Sequence, residues 1–290
     1  MTLDATTTGL RKAWRSAGLL PLYLFTLASV AGFAFVGLHP ERLAGSGPAA
    51  LEFYSVSFRF FAVGQVVLAG VTMVLFLVRH VRLAWVNAFI ALYAISLASE
   101  MLGTTFGIPF GAYSYSAVLA PMWAGRVPVG IPLSWFYMAV PSYAMARSLL
   151  QTKSHVRVVV LGSFILLAWD LALDPAMSSA TKYWEWSETG PYYGMPLLNL
   201  FGWYVTGIVL MSALAALKSE KWIAQLPVSW LSGFYAANLL LAVGMCAAAG
   251  LWIAVMFTFA ALSVTLIGAA ILGNRGLEIA PPDPALHIAR

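Results

Sequence analysis

Glu100, Asp170 and Asp174 are carboxylates set inside otherwise apolar stretches of the chain. A charged side chain at a bilayer centre costs at least ~2.5 kcal/mol by insertion scales, so such residues generally face a bundle interior or a water-filled cavity. Taken singly, each acid can cap a helix or bond a neighbouring Tyr or Trp. Three that converge point to acid–base chemistry. Asp170 and Asp174 are four apart and share one face of a helix. Two carboxylates that close in low dielectric do not both ionise, so one is expected to hold a proton at neutral pH. That is a way to keep an acid ready inside a membrane.

The elements that position these acids are membrane helices. The chain is 61% hydrophobic and only 9% charged, with mean hydropathy +0.84. This composition defines an all-α polytopic membrane protein. A spanning helix takes about 20 apolar residues. That ruler gives about eight segments, near 18–38, 58–78, 83–104, 130–150, 157–174, 196–217, 228–249 and 251–272. The last two are separated by little more than Gly250, so seven spans with one long bent helix is the alternative. Residues 1–275 read as one transmembrane helical domain and 276–290 as a short, Pro-rich cytoplasmic tail of low order.

The basic residues orient the bundle. With the N-terminus in the cytoplasm, the inner segments hold Arg11, Lys12, Arg15, Arg79, Arg82, Arg147, Lys153, Arg157, Lys218, Lys221, Arg275 and Arg290. The outer side holds only Arg42, Arg59, Arg126 and Lys182. Both ends are therefore expected in the cytoplasm, and the protein in the cell inner membrane. Inner-loop cations account for the net charge of +5, so no nucleic-acid partner is needed. The apolar run after residue 17 reads as a retained anchor rather than a cleaved signal peptide.

Topology gives the acids a depth. Counting ~1.5 Å per residue from Arg157, Asp170 lies roughly 20 Å up, with Asp174 one turn higher. Glu100, counted from Arg82, reaches a similar outer level. The two long loops, 105–129 and 175–195, fall on the same side. They are rich in Gly, Pro and aromatics, unlike flexible linkers. A Tyr or Trp there ordinarily belongs to the interfacial belt. The density of Tyr113, Tyr115, Trp123, Tyr183, Trp184, Trp186, Tyr192 and Tyr193 beside three acids argues for structured caps over a site. A weak internal repeat has each acid-bearing segment followed by an aromatic loop and a Gly-x-Pro-Leu start, at 130–133 and 194–197. Past the second start, Asn199 and Trp203 share a helix face; Asn199 suits either a helix–helix bond or a substrate contact.

Other chemistries lack their residues. His39, His80, His155 and His287 lie at loops or ends and none pairs at helical spacing, so no di-iron or zinc constellation is visible. Cys246 is the single cysteine, and no disulfide within the chain is possible. No Gly-rich dinucleotide fingerprint or P-loop occurs. No metal site and no cofactor are expected. The Asp170–Asp174 spacing invites comparison with intramembrane prenyltransferases, but those need a second Asp cluster and nearby cations that this chain lacks.

One family fits these blocks. The stretch Glu100, Gly103, Gly107, Ile108, Pro109, Phe110, Gly111, Tyr113, Tyr115, then Gly130, Ile131, Pro132, then Asp170, Asp174, Pro175, Trp184, Trp186, Tyr193, Gly194, Pro196, Asn199, Gly202 and Trp203 resembles the carotenoid biosynthesis membrane proteins of the CruF type, which are carotenoid 1′,2′-hydratases. The resemblance runs over roughly 50–275. It implies addition of water to the terminal double bond of an acyclic ψ end group, on γ-carotene, lycopene or a C50 relative lying within the bilayer. Other carotenoid-pathway enzymes would be partners. Such hydration needs a proton donor and no redox group. The expected catalytic residues are Asp170, Asp174 and Glu100. Tyr113, Tyr115, Trp184, Trp186, Tyr193, Asn199 and Trp203 are expected to bind the substrate, their rings facing a tertiary carbocation. Two other readings stay open. A lycopene-type cyclase begins with the same protonation, and a proton-coupled transporter would use the acids as a relay.

Overall fold

The computed structural model describes residues 18–152 and 154–274. The expected inner cations Arg11, Lys12, Arg15, Lys153, Arg275 and Arg290, the residue His287 and the tail at 276–290 lie outside the described residues.

Among the described residues, eight long helices and one short one make the bundle. They are α1 (Leu20–Gly32), continued by a π-helical turn Phe33–Gly37, α2 (Pro48–Val81), α3 (Val86–Phe106), α4 (Gly130–Leu150), α5 (His155–Asp174), continued by a π-helical turn Pro175–Ala180, α6 (Leu197–Ala216), the single-turn α7 (Glu220–Ile223), α8 (Val228–Ala248) and α9 (Trp252–Asn274). Among the described residues, seven are long and apolar enough to cross a membrane. The eighth long helix is α4. It carries Ser134, Ser142 and Arg147 and an internal Pro141. It tolerates them because nearly its whole length is buried against α3, α5, α8 and α2. A helix surrounded by protein need not satisfy lipid.

The outward faces show the reverse of a soluble protein. Leu20, Leu24 and Leu27 on α1 and Val67, Val71, Leu75 and Val78 on α2 are exposed at helical spacing. The polar Thr26, Ser29 and Gln65 of the same helices are buried. Apolar stripes facing out and polar groups facing in mark an integral membrane protein.

Local signals set the helix ends. Pro48 opens α2 at its first turn. The Ser154 side chain accepts the Arg157 N–H to start α5. Gly107, at φ 73°, closes α3 in the left-handed region that glycine adopts freely. Between α8 and α9 the chain reverses at Gly250, φ 74°, so the tight turn separates two helices rather than bending one. The clearest departure from the sequence ruler is α2. Its apolar stretch was expected at 58–78, yet the helix begins ten residues earlier. The stretch 48–57 holds no breaker after Pro48, and Glu52 is its single charged residue. At about 1.5 Å per residue the 34-residue helix spans roughly 51 Å, well beyond a hydrocarbon core of about 30 Å.

Close packing depends on small residues. A Cβ on Gly207 of α6 would meet Ser163 of α5 at 3.2 Å, and one on Gly162 of α5 would meet Met211 of α6 at 3.1 Å. These contacts let α5 and α6 approach along their length.

Candidate active site

The two aromatic loops pair with each other. Strands β1 (Tyr113–Tyr115) and β4 (Trp184–Trp186) form an antiparallel ribbon, with Tyr113 opposite Trp186, Ser114 opposite Glu185 and Tyr115 opposite Trp184. The strands β2 (Met122–Trp123) and β3 (Val127–Pro128) make a second, smaller pair within the first loop. In the main ribbon every second residue is aromatic. Period-2 alternation sends successive side chains to opposite faces, so Ser114 and Glu185 face out while the four rings face the helix ends.

Beneath this roof the acids meet. Glu100, Asp170 and Asp174 are 4%, 0% and 2% exposed, so each needs partners in the chain. Glu100 collects three donors. Trp135 Nε1 donates to Oε1 at 2.9 Å, and the hydroxyls of Tyr115, at 2.8 Å, and Tyr113 donate to Oε2. Asp174 collects two: Trp184 Nε1 donates to Oδ1 at 2.8 Å and Asn199 Nδ2 donates to Oδ2. The same Asn199 amide lies 3.5 Å from Asp170 Oδ2. Asp170 and Asp174, one turn apart on α5, thus share the Asn199 amide. Asp170 Oδ1 is buried with no hydrogen-bond partner among the described residues.

Burial first, and then the Glu100 charge, hold the hydroxyls of Tyr113 and Tyr115 well above the usual tyrosine range. Both ribbon tyrosines therefore keep their protons and act as fixed donors.

A chamber of about 30 Å³ lies among these groups. Glu100, Asp174, Asn199, Tyr113, Tyr115, Trp184, Trp186, Trp135 and Trp203 line it. Its volume is enough for a water, which needs two to four polar partners. Trp186 Nε1 is buried without a partner among the described residues, leaving a donor beside the acceptors Glu100 and Asp174. A much larger cavity of about 440 Å³ adjoins the chamber and shares the walls Ile131, Ser134, Leu173 and Trp184 with it. The arrangement can transfer protons to and from a small group presented at that shared wall, in near-dry surroundings.

The structure brings nine of the ten sequence-derived site residues together; Asp170 sits just behind the chamber wall. Tyr193 is the exception. Its hydroxyl accepts the Ile253 N–H at 3.1 Å, at the start of α9, and it does not line the chamber. Trp123 is 46% exposed and donates to the Tyr93 hydroxyl, as an interfacial belt residue does. The Gly-x-Pro-Leu repeat is only partly matched. Pro132 sits inside the first turn of α4, whereas Pro196 precedes α6 as its N-cap.

Sequence reasoning missed Trp135. It donates to Glu100 and stacks on Trp203 with centroids 3.9 Å apart. Its sequence surroundings are those of any apolar helix, so only the fold reveals it. The ribbon was also missed, although Tyr-Ser-Tyr and Trp-Glu-Trp carry the period-2 signal of paired strands.

Glycine allows the loop to dock. A Cβ on Gly202 of α6 would lie 2.6 Å from the Pro109 carbonyl oxygen and 2.7 Å from the Phe110 ring. The backbone contact cannot yield easily. Gly202→Ala is expected to destabilise the fold by about 1–3 kcal/mol, measured as an earlier unfolding midpoint in detergent micelles. An unchanged midpoint would show that the loop can shift.

The sequence profile of the carotenoid biosynthesis protein family matches residues 61–265. The bisanhydrobacterioruberin hydratase of Haloarcula japonica is 33% identical over 124 residues, covering 42% of this chain and 42% of that relative. The aligned region is thus less than half the relative's length. No solved structure matches the chain significantly. With the profile spanning both acid-bearing helices, the aromatic ribbon and Asn199, this integral membrane protein belongs to the carotenoid biosynthesis protein family.

Proposed function

We propose that this chain is a carotenoid hydratase of the cell inner membrane, adding water across the terminal 1′,2′ double bond of an acyclic ψ end group on γ-carotene, lycopene or a C50 relative. The observation that carries this reading is a buried chamber lined by Glu100 and Asp174, with Asp170 behind its wall, sized for a water and set against a large apolar cavity. The name of the Haloarcula japonica relative supports it.

Roles follow from the donors. Two buried carboxylates that share one amide donor do not both ionise, so Asp170 and Asp174 hold one proton between them. That proton passes from Asp174, which faces the chamber, to the less substituted alkene carbon. The tertiary cation left at the other carbon faces the rings of Trp184, Trp186 and Trp203, each worth ~0.5–2 kcal/mol. Water attacks the cation and loses a proton to Glu100, whose three donors suit its ionised form. A chamber water returns that proton to the Asp170–Asp174 pair. One water is consumed and one C–O and one C–H bond form.

A cyclase needs an internal double bond, not water, at the cation. The room for a water beside Trp186 favours the hydratase. The inner halves of α3 and α5 are apolar, which gives a transporter no continuous polar path. Chromatography and mass measurement of the pigment formed from lycopene separate the three. The hydratase adds one water per reacted end, a cyclase gives an isomer, and a transporter leaves the pigment unchanged.

The mechanism uses side chains alone. Purified protein is expected to hydrate its carotenoid anaerobically and with a chelator present. Loss of turnover under either condition would refute the cofactor-free scheme.

A further inference from the structure

We propose that the 440 Å³ cavity seats the unreacted hydrocarbon arm of the substrate, which slides in sideways from lipid between α1 and α2. The inference rests on the hydratase reading and goes beyond it, because it says where the long polyene lies and how it arrives.

The cavity is a built feature. Protein interiors leave few voids larger than a water, yet here α1, α2, α4, α5 and α8 all retreat from a common space. Its walls are overwhelmingly apolar. Of the polar side chains among them, Gln65 donates to Thr26 at 3.0 Å and Asn238 donates to the Phe234 carbonyl at 3.0 Å, while Trp169 Nε1 is a buried donor without a partner among the described residues. A charged or hydrogen-bonding ligand finds little to hold there. A linear hydrocarbon finds continuous contact.

The outer limit of the cavity points to lipid. Phe53, on the overlong α2, lines it and is 74% exposed. Leu51, Val56 and Phe60 of the same helix are exposed beside it. The inner limit is the wall of Ile131, Ser134, Leu173 and Trp184 shared with the acid chamber. A chain lying in the cavity therefore presents only its tip to the acids. The small chamber leaves no space for a ring, so an acyclic end reaches Asp174 and a cyclised end stops at the wall.

Gly32 offers a clean plug. It lines the cavity from helical backbone, and a Cβ built there meets nothing within 4 Å. Gly32→Phe adds a ring to the open space far in sequence from the acids. Full-length chain in detergent would be titrated with lycopene, reading bound pigment by induced circular dichroism. The variant is expected to weaken pigment binding and to lower the ratio of lycopene turnover to that of a short acyclic isoprenoid with the same end group, each by at least ~10-fold. Asp174→Asn is expected to bind pigment as the wild type does. Ser57→Trp, from the facing wall on α2, repeats the test should Gly32→Phe fold poorly.

Wild-type binding and an unaltered turnover ratio in either folded plug variant would overturn the proposal, leaving the cavity to lipid tails. If the wild type binds lycopene, the plugs abolish binding and no water is ever added, the seat stands and the hydratase reading falls.

Discussion

Asp174→Asn is expected to lower carotenoid hydration by more than ~100-fold, the low end for loss of general acid catalysis, while pigment still binds. Asn keeps the size of Asp and its Oδ1 can still accept the Trp184 N–H. What it lacks is a transferable proton. It also confronts Asn199 Nδ2 with an amide that has one acceptor rather than two. Asp170→Asn is expected to fall nearly as far, since it removes the partner with which Asp174 shares its proton. The double variant should be no worse than the weaker single one, because residues acting as a unit are not additive. Turnover is measured by product mass, and binding by the pigment spectrum. Near-normal hydration in the double variant would move the acid to Glu100.

Glu100→Gln is the second large effect, and it differs in kind. Three donors converge on the carboxylate. A glutamine offers one acceptor oxygen and turns an NH₂ toward N–H or O–H groups already facing it. Donors left unsatisfied in a buried site cost about 1–3 kcal/mol each. The variant is therefore expected to lose both stability, read as the unfolding midpoint, and turnover, by more than ~100-fold. Tyr115→Phe removes one donor only and should show a much smaller loss of turnover. If Gln at position 100 is tolerated on both counts, and the Asp variants are as well, the acids are packing groups and the acid-catalysed scheme fails.

Much of this site was legible before any fold was known. Acids in apolar helices are costly enough to be conspicuous, and the four-residue step from Asp170 to Asp174 fixed a common face. The topology then placed Glu100 at the same level. The structure places Glu100 and Asp174 on one chamber, with Asp170 behind its wall. The helices were readable because hydropathy and length are strong signals in a membrane. Where other forces compete, the reading was weaker. The start of α2 was missed because helix propensity continues past the apolar run. Trp135 was invisible because its role depends on which face of α4 meets α3. Tyr193 was misplaced for a related reason. It neighbours site residues in sequence, but its positive φ of 53° turns the chain toward α9. The apolar cavity left no trace at all, since a void is a property of five helices together.

The burial of α4 also bears on how the protein is made. This helix is the least able of the eight long ones to partition into lipid by its own composition, as its absence from the seven sufficiently apolar spans shows. Two of its closest neighbours, α5 and α8, have not been synthesised when it leaves the ribosome. Membrane insertion scales charge each segment for its own polar groups, so α4 must settle after its successors arrive. A chain ending near residue 150 should leave 130–150 only partly inserted, and one ending near residue 250 should insert it fully. The helix that carries Trp135 to Glu100 is thus among the last to take its place, and the acid chamber closes late in biogenesis.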